Sequence, residues 1–114
     1  IEYVTKGMRL NPYYTWDYLY NLGRAYYSAG RYNEAIVELE KARDRNENAL
    51  PVRLYLAASY INADRQEDAA GEVEQIQMVN PSETLTHTKK SSPITDNELK
   101  ERFLDDLRKA GLPE

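Results

Sequence analysis

The chain has 114 residues, the size of one small domain, long enough for a modest core and too short for a catalytic domain joined to a regulator. Its 15 Lys and Arg and 19 Asp and Glu are interleaved, for a formal net charge of −4, so the surface favours solubility and lacks the basic face that nucleic-acid phosphates demand. With no cysteine there is neither a disulfide nor a thiolate metal site, which fits a cytoplasmic setting, and no apolar run approaches the roughly 20 residues of a membrane span.

The sequence opens Ile1-Glu2-Tyr3-Val4, neither an initiator methionine nor the start of a signal peptide, and reads as a piece of a longer protein. Val4, Gly7, Leu10 and Pro12 predict the closing helix of a truncated repeat over residues 1–12. Next, Leu19, Leu22, Ala25, Tyr26 and Ala29 step by three and four residues, and Ala35, Ile36, Leu39 and Ala42 do so again, with Ala29-Gly30-Arg31 as the break between two helices. The second copy follows at a fixed distance. Leu22, Gly23, Tyr26, Ala35 and Leu39 return as Leu56, Ala57, Tyr60, Ala69 and Val73, each 34 positions on, with Asp64 standing where the first copy has its turn glycine.

Beyond Pro81 the composition turns polar and hydroxyl-rich, and residues 84–95 are expected to be a linker, with at most a helical turn near Ser82 to Leu85. Thr95 and Glu98 match a capping box, and Leu99, Phe103, Leu104, Leu107 and Ala110 form one apolar stripe before Gly111. Residues 96–110 are therefore predicted to be an amphipathic helix that must cover something, and the end of the helical stack is its expected place.

These residues resemble the tetratricopeptide repeat (TPR), whose pattern places Leu-Gly and Tyr on a first helix, Ala, a large apolar residue and Ala on a second, and Pro at the end. One repeat spans 16–49 and carries Leu19, Leu22, Gly23, Tyr26, Ala35, Leu39 and Ala42, with Glu47 in place of Pro. The other spans 50–83 and carries Leu56, Ala57, Tyr60, Ala69, Val73 and Pro81, departing at Arg53 and Ile76. The resemblance implies an all-α fold of antiparallel helix-turn-helix repeats in a short right-handed superhelix, closed by the C-terminal amphipathic capping helix. Small residues at 23, 57, 35 and 69 would let helices approach, while Tyr26 and Tyr60 would fill the space between hairpins. The ending Phe103-Leu104-Asp105-Asp106-Leu107-Arg108-Lys109-Ala110-Gly111-Leu112-Pro113-Glu114 also looks like the C-terminus of bacterial class III adenylate/guanylate cyclases that carry TPR regions. That likeness implies a regulatory tail whose cyclase domain lies upstream.

In this family a concave groove is lined by the first helix of each repeat. The resemblance places Asp17, Tyr20, Asn21, Arg24, Tyr27 and Ser28 there, with Leu54, Tyr55, Ala58, Ile61 and Asn62 beyond. Ten tyrosines, with Tyr13, Tyr14, Trp16, Tyr18, Tyr20, Tyr26 and Tyr27 crowded together, exceed what a core requires, and aromatic residues beside arginine are the types that dominate interfaces. The expected partner is a protein or peptide segment in this groove. A carboxylate clamp for peptide C-termini is disfavoured, because Tyr20, Arg24 and Tyr55 stand where Lys, Asn and Arg would be needed and only Asn21 conforms. Two alternatives remain open: a small-ligand pocket around Tyr20, Arg24 and Tyr27, and self-association through the exposed ends of a short array.

Catalytic chemistry has no support in the pattern. The one histidine, His87, falls in the polar stretch and reads as solvated; the neighbouring acids Asp105 and Asp106, like Glu38 and Glu40, read as solvated faces. Lys41, Arg43 and Arg45 suit the last turn of a helix, where positive charge meets the macrodipole. Five isolated glycines form no phosphate-cradling loop, so no cofactor or metal site can be drawn.

Overall fold

The apolar residues spaced at three and four gather on one stripe of each segment, and helices form where those stripes meet. The structure, a computed structural model, describes residues 16–46, 49–91, 94 and 96–114. Its helices are α1 (Trp16–Ser28), α2 (Tyr32–Arg45), α3 (Leu50–Asn62), α4 (Gln66–Val79), α5 (Leu85–Ser91) and α6 (Asn97–Ala110), and the described residues contain no strand. The expected helix over 1–12, with Tyr13, Tyr14, Glu47 and Thr95, lies outside the described residues.

The two hairpins, α1–α2 and α3–α4, repeat down to the chemistry of their turns. Gly30 (φ 77°) and Asp64 (φ 63°) are the left-handed residues, 34 positions apart. Around them Arg31 N–H donates to the Tyr26 carbonyl at 2.9 Å and Arg65 N–H to the Tyr60 carbonyl at 2.8 Å, while Gly30 and Asp64 donate to the carbonyls of Tyr27 and Ile61. This is the double hydrogen bond that closes a helix with a left-handed residue. In place of the hydrophobic contact that usually accompanies it, a cation here lies over a ring: Arg31 lies 5.0 Å from the Tyr26 centroid and Arg65 4.7 Å from that of Tyr60. Each arginine also pairs with the acid three residues on, Glu34 or Asp68.

Within the first hairpin the helices approach as closely as Gly23 permits. A Cβ there would stand 2.5 Å from Cγ of the fully buried Leu39. Between hairpins, Tyr60 donates its hydroxyl to Glu40 on α2 at 2.5 Å, so Glu40 serves packing and is not a solvated face. Arg43 of α2 and Arg53 of α3 both donate to the buried carboxylate of Glu72 on α4, at 2.8 and 3.0 Å. Arg43 thus does more than meet a helix dipole, and Arg53, a departure from the repeat pattern, is matched by an acid elsewhere. The core is continuous, running through Leu19, Leu22, Leu39, Val52, Leu56 and Ile76; each such side chain contributes roughly 1.5–3 kcal/mol against the entropy of ordering it.

Two features depart from expectation. Residues 85–91, expected within a linker, form α5, whose start is capped by Thr84: its hydroxyl accepts from His87 N–H at 3.2 Å. Glu83, only 1% exposed, accepts the Thr88 hydroxyl at 2.6 Å and faces His87 Nδ1 at 3.0 Å. Polar residues favoured a loop reading, and the helix forms because these side chains satisfy one another locally. His87 is solvated as expected, but it sits on a helix beside a buried carboxylate and not in a loop. At α6 the cap is Asp96, one residue later than the Thr95 box, accepting Leu99 N–H at 3.0 Å; Gly111 (φ 109°) ends the helix as expected.

Candidate functional site

The inner surface of the two hairpins is built by α1 and α3, the first helix of each. A further first helix stacked in the same manner as α3 would rest mainly on the second helix before it, as α3 rests on α2. α6 does otherwise. It packs chiefly on α3, touches α4 lightly and reaches α1 through Tyr27, so it lies in the groove and not on the end of the stack.

Phe103 is the anchor. Its ring stacks on Tyr55 at 4.5 Å between centroids and meets the edge of Tyr27 at 5.9 Å, while Tyr27 and Tyr55 meet each other edge to face at 5.5 Å. Three residues on, Asp106 is 4% exposed and accepts two hydrogen bonds, from the Tyr27 hydroxyl at 2.7 Å and from Asn62 Nδ2 at 2.6 Å. Asp106 is therefore a buried acceptor and not part of a solvated acidic face, whereas Asp105 stays at the surface with Arg108 and Lys109. Burial, reinforced by the bond to Asp106, pushes the Tyr27 phenol well above its ordinary pKa. Arg102 closes the edge, its guanidinium 5.4 Å from the Tyr27 ring and within 3.4 Å of the Tyr27 carbonyl. Ala58, fully buried, leaves room for the incoming helix.

The residues expected to line one groove thus divide. Tyr27, Tyr55, Ala58 and Asn62 are engaged with α6 or covered beside it, and Leu54 is buried in the core. Asp17, Asn21 and Ser28 are exposed, and Tyr20, Arg24 and Ile61 are half-buried. Arg24 lies over the Tyr20 ring at 5.1 Å, and Tyr20 meets Tyr55 edge to face at 5.8 Å. Because Tyr27 turns into α6, the trio Tyr20, Arg24 and Tyr27 does not close around one pocket.

Among the described residues, a cleft of about 310 Å³ lies at the start of α6, lined by Asn21, Arg24, Ala25 and Ser28 of α1, Tyr55 of α3, and Ile94, Asp96 and Leu99. Its lining combines Ala25, Ile94, Leu99 and the Tyr55 ring with one guanidinium, one carboxylate and two neutral polar groups. Burial raises the Tyr55 phenol to about 12. Reasoning on the repeats alone missed the α6 side of the cleft, although the stripe of Leu99, Phe103 and Leu107 signalled that this helix had a face to bury.

Among the described residues no cluster of three or more His, Cys, Asp or Glu is placed to hold a metal ion, and no helix is long and apolar enough to cross a membrane. No curated protein matches the chain. The sequence profile described as the tetratricopeptide repeat matches residues 17–90, which takes in both hairpins and reaches α5. With that match over most of its length, and two hairpins repeating at 34 residues, the chain belongs to the tetratricopeptide-repeat family, whose modules are generally non-catalytic scaffolds that bind protein or peptide partners.

Proposed function

We propose that the chain is a protein-interaction scaffold that takes a segment of a partner in the open stretch of its groove, around Asn21, Arg24 and Ser28. The observation that carries this reading is the setting of Arg24: its guanidinium lies over the Tyr20 ring and lines a cleft together with Tyr55 and Leu99. Arginine and tyrosine are among the residue types enriched at interface hot spots, and such a groove would draw affinity from its apolar lining and selectivity from its charged groups. The likeness of the tail to cyclase C-termini supports a place as the regulatory C-terminal segment of a larger cytoplasmic signalling protein such as a nucleotidyl cyclase.

The test is affinity capture from the source cell with the wild-type chain and with Arg24→Glu, whose helix content and melting temperature are checked first. A protein retained by the wild type and lost by the folded variant supports the groove as the binding surface. Equal retention by both would remove Arg24 from it.

A further inference from the structure

The occupant of the groove is not part of the repeat array that builds it. The repeat match ends at residue 90, α6 begins at Asn97, and its seat on α3 is not that of a stacked third repeat. The tail that follows α6 runs beside α5: Leu85 N–H donates to the Pro113 carbonyl at 2.8 Å and Thr86 Oγ1 to the Glu114 carbonyl at 3.3 Å. As α5 packs mainly on α6, the two helices hold together as a pair, and leaving the groove breaks few of the contacts between them.

The groove reads two features of the helix seated in it. Tyr55 and Tyr27 present a face and an edge to one aromatic ring, and the Tyr27 hydroxyl and Asn62 carboxamide converge on one carboxylate oxygen. In α6 these features are Phe103 and Asp106, three residues apart and hence on one side of a helix. Two neutral donors aimed at a single buried acceptor specify as well as attract, because a helix without that carboxylate leaves the buried Tyr27 hydroxyl unanswered, while Asn62 keeps its bond to the Ala58 carbonyl. Everything the groove recognises here lies on one face of one helix, with charged residues such as Glu98, Glu101 and Lys109 outside, and a helix from another molecule could present the same face.

We propose that the groove formed by Tyr27, Tyr55 and Asn62 is a recognition site for an amphipathic helix carrying an aromatic residue followed three positions later by a carboxylate, and that α6 is its resident occupant, displaced by a partner helix of this chemistry. The proposal rests on the interaction-scaffold reading and extends it from the open cleft to the covered half of the groove. α6 then sets a threshold, since a partner's apparent affinity is reduced by the fraction of molecules in which α6 is seated.

The experiment uses a fluorescent peptide of residues 96–114 titrated by anisotropy into the full chain. Wild type, with its groove filled, is expected to bind the peptide weakly. The full-chain variant Phe103→Ala/Asp106→Ala, whose own helix is weakened, is expected to bind it at least tenfold more tightly, and a peptide carrying Asp106→Ala is expected to lose at least tenfold on that variant. A folded variant that binds no better than wild type overturns the proposal. Hydrogen exchange on the unaltered protein guards against an unfolded variant: α6 amides should exchange well before those of α3, and equal protection of the two helices also overturns it. Partner capture that depends on Arg24 yet ignores Phe103 and Asp106 would sink this inference and leave the scaffold reading standing.

Discussion

Replacing Gly23 with alanine probes how α1 and α2 come together. The new Cβ would lie 2.5 Å from Cγ and 2.6 Å from Cδ2 of Leu39, a side chain with no exposed surface. Cγ is the branch point and cannot swing aside, so the helices part or Leu39 leaves its rotamer, an overpacking that costs about 1–3 kcal/mol. Alanine gains about 1 kcal/mol over glycine inside a helix, which leaves a net loss of about 0–2 kcal/mol. Leu39→Val alone removes one methylene and costs about 1 kcal/mol. The second repeat shows how the two changes combine: it has Ala57 in place of Gly23 and Val73 in place of Leu39, one carbon gained and one lost. Gly23→Ala/Leu39→Val moves that pairing into the first repeat, and the double variant should be as stable as wild type or more so, with a coupling of about 1–3 kcal/mol. Urea unfolding followed by circular dichroism, with m unchanged, measures all four species. Losses that simply add in the double variant would refute the close-approach argument, as would Gly23→Ala showing the whole helix-propensity gain by itself.

Other parts of the fold make separate predictions. Glu72→Ala removes the carboxylate shared by Arg43 and Arg53 and is expected to cost about 2–3 kcal/mol, less than a fully buried pair because Arg43 is partly solvated. Glu34→Ala, which removes a solvent-screened partner of the exposed Arg31, should cost far less, and urea titration of both variants checks the contrast. At the turns, Asp64→Gly should stabilise by about 0.5–1 kcal/mol and Gly30→Ala should destabilise by about 1–2 kcal/mol, because both positions have positive φ; thermal shifts of the same sign would be evidence against this. Burial raises the phenol pKa of Tyr27, Tyr55 and Tyr60 in the folded chain, Tyr55 to about 12. The unfolded chain releases these protons first, so their contribution is complete below about pH 10 and is lost as pH rises through the folded values. Melting temperatures taken from about pH 8 to 11 should decline above about pH 10, and a level profile would contradict the burial.

The hairpins were legible because the interactions that make them are local and repeat. A 34-residue spacing of Leu, Gly or Ala, Tyr and Ala, with Asp64 in the place of Gly30, fixes two stripes and a turn per copy, and the structure extends the same spacing to the arginines that cover Tyr26 and Tyr60. α5 was less legible. Its apolar content is low, and its order comes from Glu83, Thr84 and Thr88 bonding one another, a signal that hydrophobic periodicity does not register.

The candidate site divides along the same line. Arg24, Asn21 and Tyr20 follow from their positions on α1, but the role of Asp106 could not be read beside Asp105, because only partners 44 and 79 residues away in the chain distinguish the two. By itself the sequence determined two helical hairpins with a small-residue contact inside each and a final helix with one face to bury. Where that face goes was decided only by the tertiary structure. A stripe of Leu99, Phe103, Leu104 and Leu107 states that water must be excluded from it, and apolar burial has no direction of its own. The rings of Tyr27 and Tyr55 and the two donors that meet Asp106 give it one, and they come together only once both hairpins have packed.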